Sequence, residues 1–240
     1  MTTTGKPSGA SEKRGGREAR EAPEAPEAPE GLRERKKRQA RRHISDVATG
    51  LFLERGFDAV TIAEIARAAD VSVNTVYNYF PAKEDLFLDR GEDLVDRVSR
   101  WVRGRRPGES AAEAVLRELR EAVEGLSNEV GLFPGYADFM QVILDAHTLR
   151  SRLWEIQGQA LENLERTVRA EVGADDADPV PLLVAGQLNW LHSTLMRWIT
   201  AQMLRRRDPA EVSREALVLL DEMEELLGEQ VLTYGVKSRG

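Results

Sequence analysis

The sequence predicts an all-α protein, with an N-terminal three-helix helix-turn-helix head joined by a fourth helix to a larger helical domain. Three observations carry that expectation. Apolar residues recur at helical spacing along most of the chain beyond position 31, and no extended run alternates as a strand would. The stretch "AADVSVNTVYNYFPAKEDLF", positions 68 to 87, joins two short helical patterns through a four-residue turn.

Residues 1–30 form a low-complexity Ala/Pro/Glu-rich segment that includes "EAPEAPEAPE". Recurrent proline removes backbone donors and little bulky apolar surface is present, so this tail is expected to stay extended or disordered. Next comes "RERKKRQARRH", where Arg33, Arg35, Lys36, Lys37, Arg38, Arg41 and Arg42 are opposed only by Glu34. Residues 31–82 are therefore read as a basic arm followed by the helix-turn-helix.

A first helix runs from the basic segment to about Arg55, with Ile44, Val47, Ala48, Leu51 and Phe52 on one face and Gly56 as its stop. Phe57 and Val60 return the chain to the core. Thr61 and Glu64 have the spacing of a capping box for a second helix, Ile62 to Ala68. The third starts at Ser72 and runs to about Tyr79, with Val73, Val76 and Phe80 at apolar spacing and Pro81 beyond it. Residues 83–103 read as one connecting helix.

Residues 104–229 read as a second helical domain, followed by a C-terminal tail over 230–240. Helical patterns cover 110–126, 137–171, 180–205 and 211–227, with "GLFPGY" and "GADDADP" as breaks. In "LLVAGQLNWLHSTLMRWI" there are more apolar residues than one narrow stripe needs, and Leu219, Leu220, Met223 and Leu227 supply another face. The last two helices are expected to pair with their mates in a homodimer; the alternative is that they fill a monomer core.

Composition narrows the class of function. The chain has 240 residues, 41% of them hydrophobic, with no cysteine and a formal charge of −7. A thiolate metal site and a disulfide framework are excluded. There is no apolar run of the roughly 20 residues that a membrane span needs, and the N-terminus lacks the apolar core of a secretory signal, so the cytoplasm is the expected location. The acidic balance argues against a protein basic all over, but DNA binding depends on where Lys and Arg cluster.

The polar tips on the third helix make it a candidate reader of a major groove. Asn74, Thr75 and Asn78 are short enough to approach base edges, and Tyr77 and Tyr79 can donate to phosphates or contact thymine methyls. The alternative is an ordinary solvated helix. Arg38, Arg41 and Arg42 lie ahead of the head, where an arm could follow the DNA backbone. His43 is expected beside phosphate or in solvent. The acidic tail next to this arm is expected to weaken non-specific binding, so deleting residues 2–30 should tighten it at low salt.

"TIAEIARAADVSVNTVYNYFPAKEDLFL", preceded by "ATGLFLERGFDAV", resembles the DNA-binding head of the TetR family of bacterial regulators over about residues 38–90. The resemblance implies a homodimer, usually a repressor, that binds a pseudopalindromic operator and is released by a small molecule held in the C-terminal domain. It also implies phosphate or groove contacts for Thr61, Thr75, Tyr77, Tyr79 and Lys83, with Asn74 and Asn78 at positions that tune sequence choice. One departure is Asp70, where the family commonly has glycine in the turn.

Trp101, Phe133, Tyr136, Phe139, His147, Trp154 and Trp190 could line a pocket for a hydrophobic or aromatic effector, together with His192. Each fits a core or dimer interface as well. Three scattered histidines define no metal site, no cofactor is expected, and no GxxxxGK[ST], HExxH, GxSxG or GxGxxG motif points to an enzyme. An activator of the same DNA-binding class and a helical enzyme or interaction protein remain the rival functions.

Overall fold

The computed structural model describes residues 31–89 and 91–238; the predicted disordered tail, residues 1–30, lies outside the described residues. Among those residues the chain is built from helices without strands. The head comprises α1 (Leu32–Arg55), α2 (Ile62–Ala68), α3 (Val73–Tyr79) and α4 (Lys83–Phe87). The body comprises α5 (Gly91–Arg103), α6 (Ala111–Glu124), a 3-10 turn (Asn128–Val130), α7 (Tyr136–Asp145), α8 (His147–Val172), α9 (Val180–Leu204), α10 (Pro209–Glu225) and α11 (Glu229–Leu232).

Ile44, Ala48 and Phe52 are fully buried on one face of α1, as their spacing predicts. Gly56 ends that helix at φ 82°, a conformation that glycine adopts without a Cβ clash. Phe57 then turns back so that its ring lies 4.9 Å from that of Phe52.

The single helix expected over 83–103 is two. Leu86, Phe87 and Leu88 are buried in succession, which one straight helix cannot achieve against one neighbour. The chain therefore turns after α4, which packs on α1, before α5 lies along α8. Gly91 opens α5 where a Cβ would stand 3.1 Å from Ile156 Cδ1 of α8.

A second correction concerns residues 137–171, which form α7 and α8 rather than one helix. Ala146 breaks them with an extended backbone, φ −96° and ψ 116°. The apolar periodicity runs through the break because Ala146 and Leu149 are both buried. The expected tail over 230–240 is also tied down as far as it is described. Lys237 exchanges backbone hydrogen bonds with the α5–α6 loop, accepting from Gly108 at 2.8 Å and donating to Glu109 at 3.0 Å, and Arg105 Nε donates to Gly235 O at 2.8 Å.

Among the described residues there are two apolar clusters. One is the body core, drawn from α5, α6, α9, α10 and their neighbours. The other begins in the head but extends into α7 and α8 through Val142, Ile143, Ala146, Leu149 and Ile156. Burial of the larger of these side chains, Val142, Ile143, Leu149 and Ile156, contributes roughly 1.5–3 kcal/mol each as an upper bound. The head's orientation is thus set by packing against α7 and α8, and not by a flexible linker.

Candidate nucleic-acid interface

The helix pair is held by its caps. Thr61 Oγ1 accepts from Glu64 N at 3.3 Å while Glu64 Oε2 accepts from Thr61 N at 2.8 Å, closing the box at the start of α2. The hydrogen bonds that the Glu64 carboxylate accepts from Thr61 N, from Thr61 Oγ1 at 2.8 Å and from Arg55 Nη2 at 2.9 Å hold it well below its usual range, at about 2. Ser72 Oγ caps α3 by accepting from Thr75 N at 3.0 Å. Between them Asp70 adopts φ 55°, so the turn is left-handed even without glycine, and Val71 N closes it onto Ala66 O at 2.9 Å.

α3 is anchored by Val76 and Phe80, both buried. Asn74, Tyr77 and Asn78 are exposed, Tyr77 at 51%, and Thr75 and Tyr79 are half-buried. Val73 differs from expectation. Its spacing suggests an anchor, yet it is exposed, because a residue four positions before Tyr77 shares the outward face of a 3.6-residue helix. It adds an apolar surface suited to a thymine methyl beside the asparagines.

Two basic residues hold the head together in a way the sequence does not display. Arg41 Nη1 donates to Tyr79 O at 2.6 Å, its Nη2 to Asp89 O at 3.4 Å, and its guanidinium lies 4.4 Å from the Phe80 ring centroid. A cation from α1 thereby satisfies a carbonyl at the C-terminus of α3, which carries no basic residue in its own last turn. Lys83 Nζ donates to Phe57 O at 2.6 Å and lies 4.3 Å from the Phe57 ring centroid. Its partial burial pushes the ammonium pKa down. Arg33, Arg35, Lys36, Lys37, Arg38, Arg42 and His43 are exposed along α1, and Thr61 is exposed at the cap of α2.

The seven residues proposed for an effector pocket do not converge. Trp101 and Tyr136 are buried in the body core, with Phe133 packed against it; Phe133 meets Tyr136 edge to face at 5.5 Å, and Tyr136 Oη shares a 2.8 Å hydrogen bond with Thr200 Oγ1. Phe139 is directed toward the head and stacks on Phe87. His147 and Trp154 edge an open surface depression of about 350 Å³ with Arg150 and Ser151, and Trp154 is 77% exposed. Trp190 lies on the outer face of α9. His192 is half-buried, with its Nε2 covered, and its ring meets the edge of Trp101 at 5.9 Å between centroids. No group of His, Asp or Glu side chains fit to hold a metal occurs among the described residues, and no helix among them is long and apolar enough to cross a membrane.

Residues 44–89 match the family of bacterial regulatory proteins called the tetR family. The chain is 32% identical over 89 residues to the HTH-type transcriptional regulator AcrR of Shigella flexneri, a match that covers 36% of this chain and only 40% of that regulator. It is 28% identical over 197 residues to the HTH-type transcriptional regulator HbdR of Aromatoleum sp. (strain CIB), covering 77% of this chain and 80% of the relative. In fold it is similar to NalD of Pseudomonas aeruginosa, the secondary repressor of the MexAB-OprM multidrug efflux pump, with a TM-score of 0.51, 21% identity, and coverage of 78% and 97% of the two chains. These matches are to transcriptional regulators, not to enzymes.

Proposed function

The head of this chain is that of the TetR family of bacterial regulatory proteins, and on that premise we propose that the protein is a cytoplasmic, sequence-specific DNA-binding repressor, acting as a homodimer and released from its operator by a small molecule. The observation that carries the reading is the outward face of α3. It presents Val73, Asn74, Tyr77 and Asn78 from a helix capped at its start and clamped at its end. Asn74 and Asn78 read base edges, Thr61, Thr75, Tyr77 and Tyr79 position the helix on the backbone, and Arg38 and Arg42 add phosphate attraction from α1. Arg41 and Lys83 act mainly by holding α3 and the loop before α2 in place.

A dimer is needed to address a pseudopalindromic operator, with recognition helices about 34–36 Å apart. The outer faces of α9 and α10 support it. Leu182, Leu183 and Trp190 are exposed on α9 and Val218 on α10, giving an apolar surface of the kind that a two-fold mate covers. Effector release follows from the shared core. A ligand that rearranges the body moves α7 and α8, and those helices carry part of the head's own core.

Selection of bound sites from random duplexes tests the reading. A symmetric sequence should be enriched, and Asn78→Ala or Tyr77→Ala should weaken binding to it by about tenfold or more. Failure to enrich any sequence, or folded variants with unchanged specific affinity, would count against groove recognition by α3.

A further inference from the structure

The outward stripes of α9 and α10 differ in charge. On α9 the stripe runs from Leu182 through Trp190, Ser193 and Arg197, all exposed, to the half-buried Leu204. Steps of three and four residues keep these side chains on one face, and Arg197 is the only charged one among them. On α10 the stripe is Glu211, Glu215, Val218, Glu222 and Glu225, all exposed and acidic at every place but one. Arg207 answers the first two carboxylates, 3.9 Å from Glu211 and 2.6 Å from Glu215. Arg197, Glu222 and Glu225 have no partner among the described residues.

Neither stripe suits a copy of itself. Two α10 stripes face to face would set carboxylate against carboxylate, and two α9 stripes alone would cover an arginine without an anion; both are unfavourable. The stripes do complement each other.

A two-fold axis brings the opposite charges level. Residues 205–208 join α9 to α10, which packs back against it. The two helices therefore run antiparallel, and equal steps from the turn set Leu191 level with about Glu222 and Leu188 with about Glu225. Ser193 lies midway between Leu182 and Leu204. With the axis there, Arg197 of one copy comes level with position 189 on the mate's α9, between the levels of the partner's Glu222 and the partner's Glu225. The partner's Trp190 and the chain's own Val218 fall near the same level and keep water from the pair.

We infer that α9 and α10 form a self-selecting interface, in which Arg197 of each copy pairs with the partner's Glu222 and the partner's Glu225, once on either side of the two-fold axis. The inference rests on the homodimer reading and adds a charge code to it: the chain accepts its own kind and rejects a similar helical mate whose charges are placed otherwise. Arginine suits the task, because its planar fork meets two carboxylate oxygens at once.

Equilibrium sedimentation of the full-length chain tests this with Arg197→Glu, with the double variant Glu222→Arg/Glu225→Arg, and with an equimolar mixture of the two, each first checked for folding by circular dichroism. The parent should dimerise, and each variant alone should do so about tenfold or more weakly, because like charges then meet on both sides of the axis. In the mixture both contacts return with reversed sign. A heterodimer of near-parental affinity should form, read as energy transfer between donor-labelled and acceptor-labelled chains. Variants that dimerise as tightly as the parent, or a mixture without preference for the heterodimer, overturn the inference and leave the homodimer reading standing. A parent chain that stays monomeric at micromolar concentration overturns both.

Discussion

Phe87 of α4 and Phe139 of α7 stack with ring centroids 4.4 Å apart and planes 16° from parallel. This pair joins the head to the body, and its chain of contacts runs on through Phe52, 5.7 Å from Phe87, to Phe57. Arg152 Nε of α8 donates to Asp85 Oδ1 at 3.1 Å beside it. A shift of α7 is therefore felt in α4 and α1 through close-packed rings.

A double-mutant cycle measures that joint. Phe87→Ala should cost about 3–5 kcal/mol and the half-buried Phe139→Ala less, with a coupling of about 0.5–1.5 kcal/mol between them in urea unfolding. Strict additivity would show that the stacked pair does not transmit between the two parts.

Asp70 holds φ 55° close to the C-terminus of α2, where both the left-handed backbone and a negative charge are unfavourable. Asp70→Gly is expected to be neutral to about 1 kcal/mol stabilising, the relief of strain being partly offset by a freer unfolded chain. Operator affinity should be unchanged or higher. A large loss of affinity in a folded variant would assign the Asp70 carboxylate a role that its position does not suggest.

His192 predicts a pH dependence of stability. Burial first and the Arg97 charge second hold its folded pKa at about 4, below the ordinary value of 6.5, so between these values the unfolded chain binds a proton that the folded one does not, and stability falls as pH drops from about 6.5 to 4. The loss is at most on the order of 3 kcal/mol. Denaturation of His192→Gln across that window should show a flatter profile than the parent; parallel profiles would mean that the ring titrates normally in the folded protein.

Leu183, 61% exposed on α9, tests the dimer face. Sedimentation equilibrium should find a dimer for the parent at micromolar concentration and a monomer for Leu183→Glu, since a buried unpaired carboxylate at an interface is strongly unfavourable. A parent chain that stays monomeric, or a variant that remains dimeric, moves the interface elsewhere.

Much of the head was legible because its signals are local. Thr61 with Glu64, Ser72 before α3, Gly56 after α1 and the spacing of Val76 and Phe80 each act within a turn or two of chain, where capping and periodicity decide the outcome. The same logic placed α6, α9 and α10 and the all-helical class. It failed where an apolar pattern passes unbroken through a bend, as at Leu88 and Ala146, because burial against two different neighbours leaves the same periodic trace as burial against one. Val73 was misplaced for a related reason: on a helix of seven residues, spacing cannot say which face the partner covers. Charge was hardest to read. Arg38, Arg41 and Arg42 are equivalent members of a basic run in the sequence. Contact with Tyr79 O and Phe80, far along the chain, makes Arg41 a clamp and leaves Arg42 on the surface. The pairing of Arg97 with Glu129 and its nearness to His192 also depend on three separate elements meeting. Local chemistry can specify helices and caps; which polar groups meet inside the body is settled by long-range packing.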